Sequence, residues 1–329
     1  MTSEAPPQVL VYRTLGLGDF LTAVPALRAV RRAFPTYVVV LAVPAAFGPL
    51  AALTGAVDQV VATDELAVPN WPWPRPEVAV NLHGRGPASH LALQALAPRR
   101  LVAFARPELG IDGPPWKAEE HEVTRWCRLV TWADMPGAED DLDLQRPAAP
   151  SPRPGAVVVH PGAADPTRRW PAQRFSAVAA ALHRDHDVVV TGVASERALA
   201  AQVARGAGLP HEAVLAGTLD LAQLAGLVAE ARLVVCGDTG VAHLATAYRT
   251  PSVLLFGPMS PALWGPPAPR PQHRVLWHPD LASAPRPDHG PHPALLAITA
   301  AEVLAACVDG LGGVRAAGAV AAGRDARRW

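Results

Sequence analysis

The chain has 329 residues, half of them hydrophobic, and a formal net charge of zero, so two domains of ordinary size are expected and nucleic acid is not an expected partner. The first seven residues lack the basic and apolar regions of a secretory signal, and no apolar run of about 18 residues predicts a membrane-spanning helix. The three cysteines are widely spaced, with neither a disulfide pattern nor metal-ligand spacing, so we expect a cytoplasmic protein.

The first half of the chain alternates short valine-rich runs with helical patterns. Val9–Tyr12 predicts a buried strand, and the turn at Leu15–Asp19 follows it. Leucine and valine at helical spacing then predict one helix from Leu21 to Val30. The other elements predicted for this half are strands at Val38–Val43, Val57–Val61, Val78–Leu82 and Leu101–Phe104, and a helix at Ala118–Trp132.

A proline-rich linker at residues 146–155 separates this half from a second series of alternating strands and helices. Alternation of this kind predicts two parallel, doubly wound α/β sheets, whose ligands bind beyond the carboxyl ends of the strands. After Gly257 the pattern degrades, with eleven prolines in residues 258–293, one more helix at Ala294–Val308 and a flexible tail at 311–329. The predicted strands of the second half are Ala156–His160, Val188–Gly192, Val214–Leu215, Leu233–Cys236 and Ser252–Phe256, and its helices lie at Arg174–His183, Ser195–Ala207, Leu221–Ala231 and from Gly240 onward.

The most informative motif joins the strand at Leu233–Cys236 to the helix that follows. Gly-Asp-Thr-Gly, at positions 237–240, ends the valine-rich run, and an alanine-rich helical pattern begins at once. The unpaired N–H groups of a helix N-terminus attract an anion, most often phosphate. Gly240 permits close approach of a ligand, and His243 falls on the first helical turn. The motif predicts a phosphate site, with an ordinary turn capped by Asp238 as the alternative.

Two further turns lie between a predicted strand and a predicted helix. Gly16-Leu17-Gly18-Asp19 lacks the third glycine of a dinucleotide fingerprint and the Gly-Lys-Ser/Thr of a P-loop, so neither site is expected there. Asp19 suits either a helix N-cap or a general base. In the second turn Arg168 and Arg169 follow a glycine-containing loop, and a guanidinium can pair with two phosphate oxygens. The alternative for these arginines is a solvated helix entry.

These motifs, in this order, resemble those of the family-9 glycosyltransferases, the group of the lipopolysaccharide heptosyltransferases, over most of residues 8–260. The resemblance implies the GT-B fold, with two Rossmann-like, doubly wound domains facing across a cleft. Residues 1–150 would bind the acceptor and residues 151–310 the nucleotide sugar. The implied reaction is inverting transfer of a heptose-like sugar from a nucleotide-diphosphate donor to a hydroxyl of a glycan or glycolipid. The resemblance favours an ADP-sugar as the donor and implies no cofactor.

The resemblance also implies roles for residues of this chain. Asp19 becomes the catalytic base, and Arg168 stands where the family pattern has a lysine two residues before Trp-Pro, which keeps the charge but changes its geometry. Glu196 is implied to contact the ribose hydroxyls, with a structural role beside a capping Ser195 as the alternative. The implied donor-phosphate contacts are Arg168, Asp238, Thr239, Gly240 and His243, the nucleoside contacts are Glu196, Gly217, Thr218 and Leu219, and the weaker acceptor-side or phosphate contacts are Gly18, His83 and Arg85.

No Asp-x-Asp motif follows a strand where it would hold a divalent metal, so metal-independent transfer is expected. The acidic cluster Asp140–Asp143 indicates a solvated loop instead. Two other functions stay open. A nucleotide-sugar epimerase would need no acceptor. A protein that only binds the nucleotide sugar would show no transfer, so Asp19→Ala would change no activity. The expected partners are a nucleotide-sugar donor and a glycan or glycolipid acceptor, with or without peripheral contact to a membrane.

Overall fold

A computed structural model describes residues 6–268 and 270–325 of the chain, without the side chains of 313–325. The chain divides into two compact units, Met1–Gln145 and Arg146–Trp329, and the predicted linker begins at this division. Each unit has its own parallel sheet and is described by itself.

The first unit is built on a five-stranded parallel sheet with strand order β3-β2-β1-β4-β5. The three central strands are almost entirely buried, as parallel strands covered by helices must be, whereas the edge strand Gln59–Ala62 is mostly exposed. The central strand β1 pairs with β2 on one side and with β4 on the other, so Val9 lies opposite both Val39 and Val78. The strands are β1 Gln8–Tyr12, β2 Val38–Val43, β3 Gln59–Ala62, β4 Val78–Asn81 and β5 Arg100–Val102, and the helices are α1 Leu17–Thr22, α2 Val24–Ala33, α3 Gly48–Leu53, α4 Ala88–Gln94 and α5 Glu122–Trp132.

The helix predicted from Leu21 to Val30 is two helices in the structure. Ala23 both ends α1 and begins α2, and Pro25 occupies the first turn of α2. Proline has no backbone N–H to bond to the preceding turn, and its ring is accommodated at the start of a helix. The break therefore makes α1 a short element of its own that carries Gly18 and Asp19.

The second unit repeats the architecture with a five-stranded parallel sheet in the order β10-β9-β8-β6-β7. Its core consists of inward-facing valines of the strands packed against α6, α7 and α12, with Trp170 and Phe175 in edge contact. The strands are β6 Val157–His160, β7 Val188–Val190, β8 Leu233–Gly237, β9 Ser252–Leu255 and β10 His273–Leu276, and the helices are α6 Ala172–Leu182, α7 Arg197–Gly206, α8 Leu221–Ala229, α9 Gly240–Ala247, α10 Pro261–Trp264, α11 Pro293–Ala297 and α12 Ala300–Asp325.

Three sequence predictions for the second unit differ from the structure. The proline-rich segment contains the edge strand β10, which was not predicted because its four residues include a single β-branched side chain. The predicted strand Val214–Leu215 is only one bridge, between Val190 and Val214. The predicted helix Ala294–Val308 is broken at Thr299, whose hydroxyl accepts from Glu302 N while the Glu302 carboxylate accepts from Thr299 N, a capping box that starts a new helix.

The predicted tail, residues 311–329, lies mostly outside the residues whose side chains the structure describes, so its loose attachment stays a prediction. Among the described residues, no helix combines the length and the apolarity that crossing a membrane requires.

Both sheets reverse their strand order at one point, which is where ligands bind in open α/β sheets. In the first unit the chain proceeds from β1 to β2 and β3 on one side and returns to β4 on the other side of β1. In the second unit it proceeds from β6 to β7 and then crosses to β8. The loops after β1 and β4, and those after β6 and β8, therefore flank the expected ligand crevices.

Candidate active site

The loop after β8 begins the site in the second unit. Thr239, not Asp238, is the N-cap of α9, with an extended backbone (φ −144°, ψ 170°) and no side-chain capping bond. The alternative that Asp238 caps this helix is therefore wrong. The Thr239 hydroxyl is buried and makes no hydrogen bond to a described residue. The turn thus ends at Gly240 with an uncommitted hydroxyl and the positive end of a helix dipole.

Arg168 reaches the same edge of the sheet from the loop after β6. Its Nη1 lies 3.3 Å from Oδ2 of Asp238, and the Asp238 carboxylate is nearly buried while Arg168 is 32 % exposed. Asp165 begins this short turn, because its Oδ1 accepts from the backbone N (2.9 Å) and the hydroxyl (2.8 Å) of Thr167. The hydrogen bond from Thr167 N also lowers the pKa of Asp165. Arg168 is thereby held at the strand-order reversal with most of its donors available.

Glu196 lies beside the same loop, in the turn after β7. Its Oε2 accepts from Val193 N at 3.0 Å, and a side chain on Gly162 would overlap the Glu196 carboxylate. A side chain at position 162 would therefore displace the Glu196 carboxylate from this position. Glu196 itself is the N-cap residue of α7, so the alternative in which Ser195 caps this helix is wrong. His160, the last residue of β6, hydrogen-bonds Thr191 at 3.0 Å, and burial lowers its pKa while nearby Glu196 opposes that shift.

The loop Ala216–Leu219 packs directly on the turn that carries Glu196. Gly217 donates to Gly192 O at 2.9 Å and has φ +72°, and a Cβ on it would lie 2.7 Å from the Cα of Ala194. Glycine is required there both for the left-handed backbone and for the close approach. Thr218 and Leu219 follow, with the Thr218 hydroxyl donating to Leu215 O at 2.9 Å. The residues predicted to contact the nucleoside thus share one side of the crevice.

His243 lies one turn into α9, and its imidazole ring is 6.0 Å from the ring of Trp264 in an edge-to-face arrangement. Trp264 ends α10, which lies in the proline-rich segment. This contact connects that segment to the helix that begins at the Gly-Asp-Thr-Gly turn.

In the first unit Asp19 lies on the first turn of α1, three residues after the N-cap Gly16. Its side chain is 31 % exposed, and its Oδ1 is 3.4 Å from Nη2 of Arg13. The alternative that Asp19 is the N-cap is wrong, because Gly16 occupies that position. Gly18 precedes Asp19 within the same turn. Asp19 is therefore a partly exposed carboxylate that a single arginine orients.

Arg13, which holds Asp19, is completely buried within a network of charged groups. Its Nη2 lies 3.2 Å from Oε1 of Glu122, its Nε donates to the Asp19 carbonyl at 2.9 Å, and its guanidinium lies 4.6 Å from the ring centre of Trp126. The Glu122 carboxylate also pairs with Arg125 and accepts from Trp126 Nε1 at 2.8 Å. Two arginines thus share the buried Glu122 carboxylate.

Sequence reasoning did not find this network. Arg13 and Glu122 are 109 positions apart, on a strand end and on the first turn of α5. Neither residue belongs to a local motif, and charged residues are seldom fully buried, so the only available signal was the arginine that directly follows a buried strand.

His83 follows β4 and lines a cavity of about 900 Å³ at the carboxyl edge of the first sheet. Its Nδ1 lies 3.3 Å from Thr14 N and 3.1 Å from the Thr14 hydroxyl, and its ring is 5.3 Å from that of Tyr12. Gly16 also lines this cavity, so Asp19 is adjacent to it. Arg85 is exposed, does not line the cavity, and accepts from Arg106 Nε through its carbonyl at 2.6 Å. The structure brings His83, but not Arg85, to the cavity.

We expect His83 to stay neutral at physiological pH. Partial burial, and secondly the charge of Arg13, lower the pKa of His83 to about 4. In ¹⁵N–¹H spectra its imidazole signals, identified by their loss in His83→Gln, should show no inflection between about pH 5.5 and 8. Because an unfolded histidine titrates near pH 6.5, the free energy of unfolding should fall as pH drops from about 6.5 to about 4, and less so in His83→Gln. An inflection between about pH 6 and 7 would contradict the buried environment.

The part of the chain that the structure describes contains no group of three or more His, Cys, Asp or Glu side chains arranged to hold a metal ion. Its three cysteines are buried thiols with the pKa of each raised to about 12 by burial. The groups suited to an anion are instead Arg168 and the N-terminus of α9.

A family model described as glycosyltransferase family 9 (heptosyltransferase) matches residues 116–286, just over half of the chain. The matched segment contains the loops after β6, β7 and β8 and does not include the turn at Asp19. A lipopolysaccharide heptosyltransferase 1 of Pseudomonas aeruginosa is 36% identical over 154 residues, which are 44% of this chain and 42% of that protein. The chain thus spans less than half the length of the first curated relatives that it matches.

Two solved structures resemble nearly the whole chain. The ADP-heptose lipopolysaccharide heptosyltransferase II of Escherichia coli has a TM-score of 0.75 and 20% identity, covering 94% of this chain and 99% of its own. An Escherichia coli heptosyltransferase solved with ADP has a TM-score of 0.67 and 18% identity, covering 92% and 99%. At this identity the likeness concerns the fold, which is GT-B with two Rossmann-like domains, as predicted.

Proposed function

Because this chain belongs to glycosyltransferase family 9, we propose that it transfers a sugar from a nucleotide diphosphate to a hydroxyl group of a glycan or glycolipid. The proposed reaction takes place in the cytoplasm, inverts the anomeric carbon and uses no metal ion. The donor is an ADP-sugar with a heptose-like sugar, in keeping with the ADP-heptose and ADP named for the two structural neighbours.

The observation that carries this proposal is the arrangement of polar groups around the strand-order reversal of the second sheet. Arg168, Asp238 and the N-terminus of α9 form one side, and the loops that carry Glu196 and Gly217 form the other. A cation and a helix N-terminus match the charge of a diphosphate, while a buried carboxylate that accepts one hydrogen bond from the described residues matches a pair of ribose hydroxyls.

The proposed chemistry is a single displacement. The Asp19 carboxylate takes the proton of the acceptor hydroxyl as that oxygen forms a bond to the anomeric carbon of the donor. The bond between that carbon and the diphosphate oxygen breaks at the same time, and its electron pair leaves with the diphosphate. Arg168 and the first turn of α9 stabilise the charge that develops there. Attack from the face opposite the leaving group inverts the configuration.

A thermal-shift screen with ADP-, GDP-, UDP- and dTDP-sugars tests the donor class on the full chain. A ligand present at 100 times its Kd should stabilise the protein by roughly 2.7 kcal/mol. We expect the ADP-sugar to give the largest shift, and a panel without any shift would contradict the proposal. Strict dependence of turnover on an added acceptor then separates a transferase from an epimerase.

We expect Asp238→Ala to weaken donor binding by roughly tenfold. Asp238 holds the Arg168 guanidinium at 3.3 Å, so the variant removes the anchor of the proposed phosphate ligand. The loss of this half-buried ion pair should cost only about 1 kcal/mol of stability. Calorimetric titration with the ADP-sugar measures the effect.

The matched control for Asp238→Ala is Asp187→Ala, which breaks the ion pair of Asp187 with Arg153 next to the amino end of β7. Donor affinity should be normal in this control. If Asp238→Ala binds the donor as well as the wild type, or more tightly because a negative charge is gone, the assignment of Arg168 and Asp238 to the phosphates is wrong.

We expect transfer to continue in excess EDTA at more than about half the rate without chelator. The reason is that Arg168 and the α9 N-terminus supply the positive charge that a metal ion would otherwise supply. The measurement is release of the nucleoside diphosphate before and after chelation. Activity that disappears and returns with added magnesium, manganese or iron would show that a metal ion takes part.

A further inference from the structure

The proline-rich segment, residues 258–293, has no part in the proposed chemistry, yet it contacts both elements that carry the proposed phosphate contacts. These elements are the turn that carries Arg168 and the helix α9. Eleven prolines restrict the backbone of the segment, so it loses less conformational entropy when it adopts a single irregular path. A segment of this composition is suited to hold neighbouring elements in place.

One group of contacts holds the turn that carries Arg168. Asp165, which begins this turn, accepts from Thr167 through Oδ1, and its Oδ2 pairs with the guanidinium of Arg286. The Thr167 carbonyl accepts from the backbone N of His292 at 2.9 Å. The segment therefore binds the turn at two places, and the second is the residue next to Arg168.

His292 connects these two attachments to each other. Its imidazole is buried, its Nδ1 accepts from Ala294 N at 3.2 Å, and its Nε2 lies 2.9 Å from the Ala284 carbonyl. The side chain thus caps α11 and also binds the stretch that leads to Arg286. Because the imidazole joins both parts of the segment, its backbone N and the Arg286 guanidinium belong to one connected structure.

A second group of contacts holds α9. The ring of Trp264 lies 6.0 Å from the imidazole of His243, on the first turn of this helix, in an edge-to-face arrangement. Arg270, which is 4 % exposed, donates from Nη1 to the Thr246 carbonyl on the last turn. A cation at that end also suits the helix dipole. The segment therefore contacts α9 at both ends.

We propose that the proline-rich segment positions the donor-phosphate contacts. Arg286 acts on Arg168 through the turn that Asp165 begins, and Trp264 acts on the imidazole of His243. When either contact is removed, the diphosphate must itself order the group that the contact held, so donor affinity falls. Arg286 and Trp264 are thus positioning residues. The inference rests on the proposed function, because Arg168 and His243 are donor contacts of that proposal.

Calorimetric titration of the full chain with ADP-heptose and with adenosine tests the role of Arg286. We expect Arg286→Gln to weaken ADP-heptose binding by roughly three- to fivefold, the range of an exposed ion pair, and to leave adenosine binding unchanged. The matched control is Arg274→Gln, the same substitution at an exposed position of β10 in the same segment. This control should bind both ligands as the wild type does.

The same titration tests the role of Trp264. We expect Trp264→Leu to weaken ADP-heptose binding by roughly three- to tenfold, the range of an aromatic pair, and to leave adenosine binding unchanged. Trp264→Phe keeps an aromatic ring against His243 and should restore most of the lost affinity.

Combined variants distinguish positioning from a general weakening of the unit. Once Arg168 is replaced by glutamine, Arg286→Gln should have no further effect, whereas Trp264→Leu should keep its full effect. In the His243→Ala background the reverse should hold. A merely structural role of the segment would instead lower donor affinity by the same factor in every background.

The proposal is overturned if Arg286→Gln or Trp264→Leu binds ADP-heptose as tightly as the wild type, if adenosine binding falls by the same factor, or if the effects persist without Arg168 and His243. Arg168→Gln alone separates this failure from failure of the proposed function. If Arg168→Gln weakens ADP-heptose binding and the other two variants do not, only the positioning role is lost. If the wild type binds no ADP-heptose, the proposed function fails, and this inference with it.

Discussion

Replacing Asp19 with asparagine is expected to lower kcat by roughly 10²–10⁴-fold while donor affinity stays nearly unchanged. Asparagine has the same shape but cannot accept the acceptor proton, so the whole contribution of the general base is lost. The proposed donor contacts, which include Arg168 and Glu196, belong to the second unit, so donor binding should be independent of this change. Turnover and donor Kd are measured on one preparation.

The stability of this variant should change little. Asp19 is not the helix cap, and its ion pair with Arg13 is partly exposed, so its loss should cost no more than about 1 kcal/mol. Asp112→Asn makes the same substitution at an exposed position of the same unit and should be fully active. Near-normal turnover in Asp19→Asn would remove Asp19 from the chemistry, and lost donor binding would mean that the two units have been assigned the wrong substrates.

Glu122→Ala is expected to destabilise the first unit by about 3–5 kcal/mol. Glu122 is 5 % exposed at its side chain and pairs with both Arg13 and Arg125, so the variant leaves two largely desolvated guanidinium groups without their shared carboxylate. Denaturant unfolding followed by tryptophan fluorescence measures the loss, and Trp126, one of the nine tryptophans of the chain, donates to the same carboxylate.

The control for Glu122→Ala is Glu108→Ala, which breaks an ion pair between exposed Glu108 and Arg106 and should cost less than about 1 kcal/mol. Even at temperatures where Glu122→Ala is folded, its turnover should be lower than that of the wild type, because Arg13 loses the partner that fixes it beside Asp19. A loss of stability below about 1 kcal/mol would show that the buried network adds little to the unit.

The sequence was sufficient to predict the sheets of both units. Runs such as Val38–Val43 and Val157–Val159 are apolar on both faces and alternate with helical patterns, and this combination is typical of a parallel sheet covered by helices. The elements that were missed or misplaced depend on context. Pro25 divides a continuous apolar pattern into α1 and α2, and β10 exists because β9 offers it a free edge. Neither effect has a signature in residue periodicity.

The sequence predicted those parts of the candidate site whose residues lie close together along the chain. The Gly-Asp-Thr-Gly turn, Arg168 and the Gly-Asp turn each lie within a few residues of a strand end, so their sequence neighbours revealed them. The alternative roles of Asp238 and Asp19 as helix caps are wrong, because cap geometry depends on which residue takes an extended backbone. The pairing of Arg13 with Glu122, and the contacts of the proline-rich segment with the turn at Arg168 and with α9, join distant parts of the chain and required the structure.

The central claim is that the second unit binds a nucleotide-diphosphate sugar through Arg168, and calorimetric titration tests it most directly. ADP-heptose and adenosine are titrated into the wild type, into Arg168→Gln and into Arg184→Ala, an exposed arginine just beyond α6. We predict that Arg168→Gln binds ADP-heptose roughly 10–100-fold more weakly than the wild type but binds adenosine equally, because only the diphosphate contact is lost. Arg184→Ala should match the wild type. If ADP-heptose does not bind the wild type, or binds no more tightly than adenosine, the claim is contradicted.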